Sequence, residues 1–113
     1  MVETFAALAE PNRFRIVELL RSGPRSVNDI GKRLRLAQPQ VSKHLRVLKD
    51  AGLVGAHARA QKRLYGIKPQ PLIEMNAWLD RYRRIWEARF DALDELAAEL
   101  EEKEKRRGHE KKK

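Results

Sequence analysis

The chain has 113 residues, no cysteine, and 25 lysine and arginine residues against 16 acidic ones, which gives a formal net charge of +9. This length fits one small domain, and the lack of cysteine excludes disulfides and thiolate metal sites. The basic excess favours a polyanionic partner. No apolar run of about 18 residues could span a bilayer, and the N-terminal residues lack the pattern of a secretory signal, so we expect a cytoplasmic protein without membrane contact.

Three short helices are predicted in the first third of the chain. The first covers residues 3–9, and the second begins at Pro11 and continues to about residue 21. Ser26 followed by Asp29 matches an N-cap and an acidic third position, and this pair opens a third helix that ends near residue 34. The second helix has a broad apolar face, which we expect to comprise Phe14, Ile16, Val17, Leu19 and Leu20.

A fourth helix is predicted over residues 38–51. Val41, Leu45 and Leu48 recur at helical spacing and would face a core. The opposite face carries amides, a hydroxyl and two cations, namely Gln38, Gln40, Ser42, Lys43 and Arg46. Glutamine and arginine can pair with base edges, and serine and lysine can reach bases or phosphates. A helix of this length is ~20 Å long, which is enough to lie in a DNA major groove.

The segment after Gly52 changes character and predicts two antiparallel strands. Residues 53–58 and 64–67 are short and strand-like, whereas the connection between them is polar and cationic. That connection carries three basic side chains, Arg59, Lys62 and Arg63. We therefore expect a small hairpin with a basic end, although the Asn-Gly signal of a tight turn is missing.

A long final helix is predicted from residue 72 to about residue 103. One seam position recurs every seven residues as Leu72, Leu79, Trp86, Leu93 and Leu100. The second seam position holds Met75, Tyr82 and Leu96, while Arg89 interrupts it beside Phe90. This heptad pattern extends over ~42 Å, whereas a domain of about 70 residues is only ~25 Å across. The preceding residues cannot cover such a stripe, so we expect it to mediate self-association rather than to pack only on its own domain.

Residues 104–113 are expected to form a charged, disordered tail after a domain of residues 1–103. Residues 101–113 hold seven basic and four acidic side chains, a net charge of +3. Such a tail either stays solvated and aids solubility or seeks phosphate groups loosely.

Several other polar residues have alternative interpretations. His44 lies at the edge of an apolar face, so a packed structural histidine is favoured over a base contact. Arg13 and Arg15 either bind phosphate or remain solvated. The three histidines are scattered in the sequence and predict no metal site. No nucleophile accompanies a base and no acids pair in a pocket, so we expect neither an enzyme nor a cofactor.

Three blocks of the sequence resemble the ArsR/SmtB family of bacterial winged-helix repressors. ALAEPNRFRIVELL at residues 7–20 matches the family's opening pattern, and QPQVSKHL at residues 38–45 matches its recognition helix, continued by residues 48–54. Arg63 and Tyr65 match the second strand of its wing. Each block alone is a weak signal, but the three together in this order and spacing are a strong one.

The resemblance implies a mainly α fold with a small β-hairpin, a winged helix-turn-helix in the order α-α-α-α-β-β-α. It implies that Gln38, Gln40, Ser42 and Lys43 face DNA, with the basic wing of residues 57–63 near the minor groove. It also implies a homodimer built from the first and last helices, in agreement with the heptad. The interface residues expected from the two arguments are Phe5, Leu8, Leu72, Met75, Leu79, Tyr82, Trp86, Phe90, Leu93 and Leu96.

The sequence also departs from parts of the family pattern. Metal-sensing members often carry a Cys-x-Cys pair in the third helix or histidine ligands on the last helix; this chain has no cysteine, and its predicted last helix, residues 72–103, contains no histidine. The position before Gln38 commonly holds a hydroxyl N-cap, but here it is Ala37, which costs about 1 kcal/mol if nothing else caps the helix. The long last helix with Trp78 and Trp86 resembles the metal-independent branch, which includes autorepressors.

The residues and the resemblance together imply a homodimeric, sequence-specific repressor that binds double-stranded DNA at a near-palindromic operator, with its own gene as one candidate target. The alternatives are a winged-helix module that docks proteins and a nonspecific DNA-binding protein. DNA binding falls steeply with salt, whereas apolar docking barely responds, so salt discriminates these classes. The operator, the direction of regulation, a small-molecule effector and a metal bound through carboxylates alone are left open.

Overall fold

The computed structural model describes the backbone of residues 1–111 and the side chains of residues 1–108. The elements follow in the order α1 (Val2–Leu8), α2 (Pro11–Leu20), α3 (Val27–Leu34), α4 (Gln38–Asp50), β1 (Val54–Arg59), β2 (Lys62–Ile67) and α5 (Gln70–Lys111). The predicted class and order of elements, mainly helical with one hairpin before the last helix, are confirmed. The chain divides into two compact units, one of residues 1–76 and one that begins at Ala77.

Local capping explains where α2 and α3 begin. Glu10 precedes α2, and its carboxylate accepts a hydrogen bond from the backbone N–H of Arg13 at 2.8 Å. The hydroxyl of Ser26 accepts from the backbone N–H of Asp29 at 3.2 Å, so the predicted N-cap of α3 is confirmed. The side chain of Asp29 does not return to complete a capping box, because it is engaged by Arg25 and Arg33.

The core of the first unit is assembled from α1 to α4 and the residues that lead into the hairpin. Its buried members are Ala7, Ile16, Val17, Leu20, Ile30, Val41, Leu45, Leu48, Leu53 and Val54. The prediction that Phe14 belongs to the apolar face of α2 is wrong, since this side chain is 52 % exposed. At about 100° per residue, the stripe formed by Ile16, Val17 and Leu20 leaves residue 14 outside it.

The two strands form an antiparallel hairpin whose connection is shorter than predicted. Arg59 pairs with Lys62, so these two residues and Arg63 lie in the strands, and only Ala60 and Gln61 remain as the loop. Ala60 has a φ of 58° and is the only loop residue with positive φ, a pattern typical of a type II′ turn, where glycine is preferred. The backbones of Arg25 and Tyr65 exchange hydrogen bonds of 2.8 and 2.9 Å and extend the sheet by one bridge.

Helix α5 is longer at both ends than the predicted segment of residues 72–103. It begins at Gln70 and accommodates Pro71 in its first turn, where no intrahelical N–H is needed. It continues through Lys111 without a break near residue 103, because glutamate, lysine and arginine are good helix formers. The disorder expected for residues 104–113 stays a prediction, and residues 112 and 113 lie outside the described residues.

Within residues 1–111, no helix combines the length and the apolar character that crossing a bilayer would require. Even α5, which is long enough, carries charged side chains in every turn of its second half.

Candidate nucleic-acid interface

Helix α4 separates a buried face from a polar face, as the sequence predicted. Val41, Leu45 and Leu48 are at most 2 % exposed and fix the helix on the core. The candidate DNA-reading side chains on the other face are all exposed, namely Gln38, Gln40, Ser42, Lys43 and Arg46. The helix ends at Asp50, and Gly52 with a φ of 76° supplies the left-handed turn that stops it. The core contacts therefore orient a row of hydrogen-bonding groups toward solvent.

Gln40 has a structural role that the sequence analysis missed. Its side-chain oxygen accepts a hydrogen bond from the backbone N–H of Ala37 at 3.2 Å, which is the reciprocal half of a capping box. The N–H of Gln40, which a hydroxyl at position 37 would bind, donates instead to the carbonyl of Ala37 at 3.0 Å. The signal was present, since glutamine stands at the third position of the helix. An amide oxygen has two lone pairs, so Gln40 can hold this contact and still accept from a base, while its NH₂ group donates.

The turn between α3 and α4 is short and is stabilised by a contact from α2. Arg35 has a φ of 58°, a left-handed conformation usual for glycine, and the N–H of Leu36 donates to the carbonyl of Gly31 at 3.0 Å. The guanidinium of Arg15 donates to the carbonyl of Leu34 at 3.1 Å and so fastens α2 to the end of α3. The spacing of the helix-turn-helix is thus fixed by backbone and side-chain bonds together.

Arg13 and Arg15 each make hydrogen bonds that neither of the two alternatives left open by the sequence had included. Arg13 donates from Nε to the carbonyl of Ala7 at 2.7 Å, near the C-terminus of α1. Together with the bond from Arg15 to Leu34, this places both cations at helix C-termini, where the helix dipole favours positive charge. Both arginines therefore hold helices together within the first unit.

His44 is packed, which agrees with its interpretation as a structural residue. Its side chain is 14 % exposed, and its Nδ1 lies 3.7 Å from the carboxylate of Glu10 without a hydrogen-bond partner. The imidazole thus lies against the N-terminus of α2, away from the row of exposed groups on α4.

The hairpin presents its cations at one end and is anchored at the other. Arg59, Lys62 and Arg63 are exposed at the end beside the turn. The guanidinium of Arg63 lies 5.7 Å from the ring centroid of Tyr65, within range of a cation–π contact. Because the backbone of Tyr65 is bonded to Arg25, this strand is joined to the segment that precedes α3.

A network of two arginines around Asp29 reinforces that connection. Arg25 donates to Asp29 at 2.7 Å and to the hydroxyl of Ser22 at 2.9 Å, and Arg33 donates to the other oxygen of Asp29 at 3.3 Å. The hydrogen bond from Arg25, with a smaller effect from Arg33, holds the pKa of Asp29 below its ordinary value of 3.8. The carboxylate is therefore charged at neutral pH, and it stabilises the base of the hairpin through Arg25.

A cleft lies between the hairpin, α3 and the start of α4. Its volume is about 510 Å³, and its lining residues are Ser26, Val27, Asn28, Asp29, Lys32, Gln38, Gln61, Lys62 and Arg63. Three predicted DNA contacts, Gln38, Lys62 and Arg63, therefore meet in one place. Lys32 adds a third cation that the sequence analysis did not single out, and no sequence signal beyond its charge would have identified it. The single acid, Asp29, is neutralised by its two arginines.

The remaining predicted contacts lie outside this cleft. Ser42, Lys43 and Arg46 continue along α4, and Arg59 lies on the first strand of the hairpin.

The predicted dimer-interface residues fall into two groups. Leu8 and Leu72 pack partly on the core of their own unit. The exposed members on α5 are Leu79, Tyr82, Trp86, Phe90, Leu93 and Leu96.

Within the described residues, no three histidine, aspartate or glutamate side chains come close enough to hold a metal ion.

Comparisons with known proteins point to one group of regulators. Residues 10–55 match the profile of the family described as bacterial regulatory protein, arsR family. The chain is 40 % identical over 76 residues to the HTH-type transcriptional regulator Rv2034 of Mycobacterium tuberculosis strain H37Rv, a match that covers 67 % of this chain and 71 % of the relative. It is 29 % identical to the transcriptional repressor SdpR of Bacillus subtilis strain 168, covering 70 % of this chain and 88 % of that protein.

The structural comparison gives the same result. The fold is similar to the solution structure of the homodimeric winged helix-turn-helix DNA-binding domain Mb0332 from Mycobacterium bovis. The TM-score is 0.60 at 27 % sequence identity, and the match covers 73 % of this chain and 76 % of that domain.

Proposed function

The chain belongs to the arsR family of bacterial regulatory proteins, and we propose that it is a homodimeric repressor that binds a specific, near-palindromic DNA operator. Its relatives are transcriptional regulators and not enzymes. The observation that supports the proposal most directly is the exposed polar face of α4, from Gln38 to Arg46, next to a cleft lined by three cations.

The two parts of the interface have different tasks in this proposal. Helix α4 enters the major groove, where Gln38, Gln40 and Arg46 pair with base edges and Lys43 reaches a phosphate. The hairpin lies beside the adjacent minor groove and brings Arg59, Lys62 and Arg63 to the backbone. Sequence is thus read by α4, while the hairpin supplies most of the salt-dependent affinity.

The homodimer follows from α5 and from the geometry of operators. The exposed apolar side chains of α5 need a cover, and a similar domain is described as homodimeric. Two copies related by a two-fold axis present two α4 helices to two major grooves about 34–36 Å apart. Occupation of such a site would block transcription, including that of the regulator's own gene, in the cytoplasm.

This regulator does not sense metals through thiolates, because the sequence contains no cysteine to supply such ligands. It binds DNA without a cofactor, and no small-molecule effector is assigned to it.

The test is a binding titration of the full chain against fragments of its own promoter and against random DNA, over a series of salt concentrations, with the mass of the complex recorded. We expect a dimer that prefers the promoter and loses affinity steeply as salt rises. Equal affinity for both DNAs would indicate a nonspecific binder. No binding at low salt would overturn the DNA proposal and favour a module that docks proteins.

A further inference from the structure

The hairpin has two faces, and one of them is directed away from the core. Side chains alternate between the two faces of a strand, so the register places His57 and Arg59 of β1 on the same face as Lys62 and Leu64 of β2. The opposite face carries Tyr65, which packs against the core. We call the face with His57 the outer face, and its histidine, arginine and lysine are all exposed.

Lys68 continues the outer face at the base of the hairpin. It follows β2 directly, and its side chain lies over Gly55 of β1. A Cβ atom at position 55 would come within 2.6 Å of Cε of Lys68, so the glycine leaves the space that the lysine occupies. Because residues 55, 57 and 59 share one face, His57 lies between Lys68 on one side and Arg59 on the other.

The outer face therefore carries a basic row, which consists of Lys68, His57, Arg59 and Lys62. Within residues 1–108, none of these four side chains forms an ion pair or a hydrogen bond. The elements with extensive contacts to β1 are β2 and α4. The strand meets the core through Val54, whose side chain belongs to the opposite face, so α4 packs on the side away from His57. The charged groups that face His57 are thus Arg59, Lys62 and Lys68.

A row of basic groups without counter-ions is suited to a polyanion such as the DNA backbone. An imidazole differs from lysine and arginine, because it changes its charge between pH 5 and pH 8, and a phosphate beside it favours the charged form. We propose that the outer face binds DNA phosphates through His57 and Lys68, and that His57 takes up a proton when DNA binds. This inference rests on the DNA binding of the proposed function.

The dependence of DNA affinity on pH tests the proton uptake. A random-sequence duplex is a sufficient probe, since phosphate contacts carry no sequence information. We expect affinity to rise on the order of fivefold as pH falls from 8 to 6. The slope of log affinity against log salt should become steeper by up to about one, because one more phosphate is neutralised. Calorimetry in two buffers with different heats of ionisation counts the protons directly.

Two substitutions at position 57 are the matched controls. His57→Asn removes the titrating group, so its affinity should stay near the wild-type value at pH 8 throughout this range. His57→Lys carries a permanent charge, so it should bind at pH 8 about as tightly as the wild type binds at pH 6. Thermal unfolding at both pH values separates a change in binding from a change in stability. Equal pH dependence of the wild type and His57→Asn would overturn the inference.

Lys68→Met tests the other end of the basic row. Methionine keeps an unbranched side chain over Gly55 but carries no charge. We expect the salt slope to shrink by about one at every pH, the effect of one lost phosphate contact. Lys103→Met removes the same charge from α5 and should leave the slope unaltered. A slope that stays the same in Lys68→Met would remove this lysine from the DNA-binding surface and contradict the inference.

The same titrations separate this inference from the proposed function. Salt-dependent binding whose pH dependence does not change in His57→Asn overturns the inference and leaves the DNA-binding repressor intact. No binding to random or promoter DNA at any pH overturns the proposed function, and the inference falls with it.

Discussion

Asp29 is a small side chain with an extended structural effect. Its carboxylate accepts hydrogen bonds from the side chains of Arg25 and Arg33, and the backbone of Arg25 is in turn hydrogen-bonded to Tyr65 of the hairpin. The carboxylate thereby connects α3 to the hairpin at the edge of the candidate DNA cleft. We expect a loss of the Asp29 charge to lower the free energy of unfolding directly. We expect it to lower DNA affinity only indirectly, because the position of the hairpin depends on this carboxylate.

Asp29→Asn should destabilise the protein at neutral pH, because it removes a charge that two arginines stabilise. Since the pKa of Asp29 is lower in the folded than in the unfolded state, its contribution is present above the ordinary value of 3.8 and is lost as pH falls through the folded pKa. Denaturant unfolding of both proteins between pH 7 and pH 3 checks this. The difference in unfolding free energy should shrink below about pH 4, and a difference independent of pH would contradict the explanation.

Gln40→Ala should have two separable effects. Loss of the bond to Ala37 should lower the unfolding free energy by about 0.5–1.5 kcal/mol, and loss of the base contact should reduce discrimination between operator and mismatched DNA by about 1–3 kcal/mol. Gln38→Ala is the matched control for the stability effect alone, since it removes an exposed amide from the same turn while leaving the Ala37 bond in place. If Gln40→Ala weakened all DNAs equally, Gln40 would not read bases.

The roles of these individual residues were only partly predictable. The exposure of Gln38 to Arg46 followed from helical periodicity, which needs no tertiary information. The bonds made by Arg13 and Arg15 could not be predicted, because their acceptors are backbone carbonyls of other helices, whose positions depend on the packed fold. The pair of Asp29 and Arg33, in contrast, has the i,i+4 spacing of an ion pair within one helix and was open to prediction.

The hairpin has a base that is hydrogen-bonded to the segment before α3 and a turn with a non-glycine residue at positive φ. The bridge between Arg25 and Tyr65 holds its base, while Ala60 occupies a conformation that glycine adopts at lower cost. The hairpin carries three cations within a few residues of each other. Its contribution to binding should therefore be electrostatic and independent of DNA sequence.

Lys62→Ala should weaken binding to every DNA and reduce the slope of log affinity against log salt by about one, the effect of one lost phosphate contact. Titrations of operator and random DNA at several salt concentrations measure this slope. Lys103→Ala removes the same charge from α5 and should leave the slope unchanged. An unaltered slope in Lys62→Ala would exclude Lys62 from the phosphate contacts.

Element types were predicted well and element boundaries less well. The hairpin was expected to have a loop of five residues or so, but pairing of Arg59 with Lys62 reduced it to two. Strand pairing is a long-range property, so it does not appear in local composition. Helix α5 exceeded its predicted ends because Pro71 is tolerated in a first turn and the charged residues near its end favour helix.

The two units divide the proposed tasks between them. Every candidate DNA contact belongs to residues 1–76, whereas the exposed stripe from Leu79 to Leu100 belongs to the second unit. The sequence predicted a single domain of residues 1–103 that includes the last helix, and that boundary stays a prediction.

A dimer that binds two half-sites should depend on their spacing. Inserting about five base pairs between the half-sites of an identified operator turns one of them to the opposite side of the DNA. We expect affinity to fall on the order of a hundredfold, because base contacts worth about 1–3 kcal/mol each are lost in one half-site. Inserting about five random base pairs outside the operator is the control. Affinity that is insensitive to the internal insertion would indicate independent binding by each copy.

The separation of α4 from the exposed stripe of α5 has an evolutionary consequence. The polar side chains of α4 lie in the first unit, whereas the stripe from Leu79 to Leu100 lies in the second. Substitutions on α4 can therefore change the DNA sequence that is read without altering the apolar side chains that we propose to join two copies. The two properties can diverge independently among proteins of this fold.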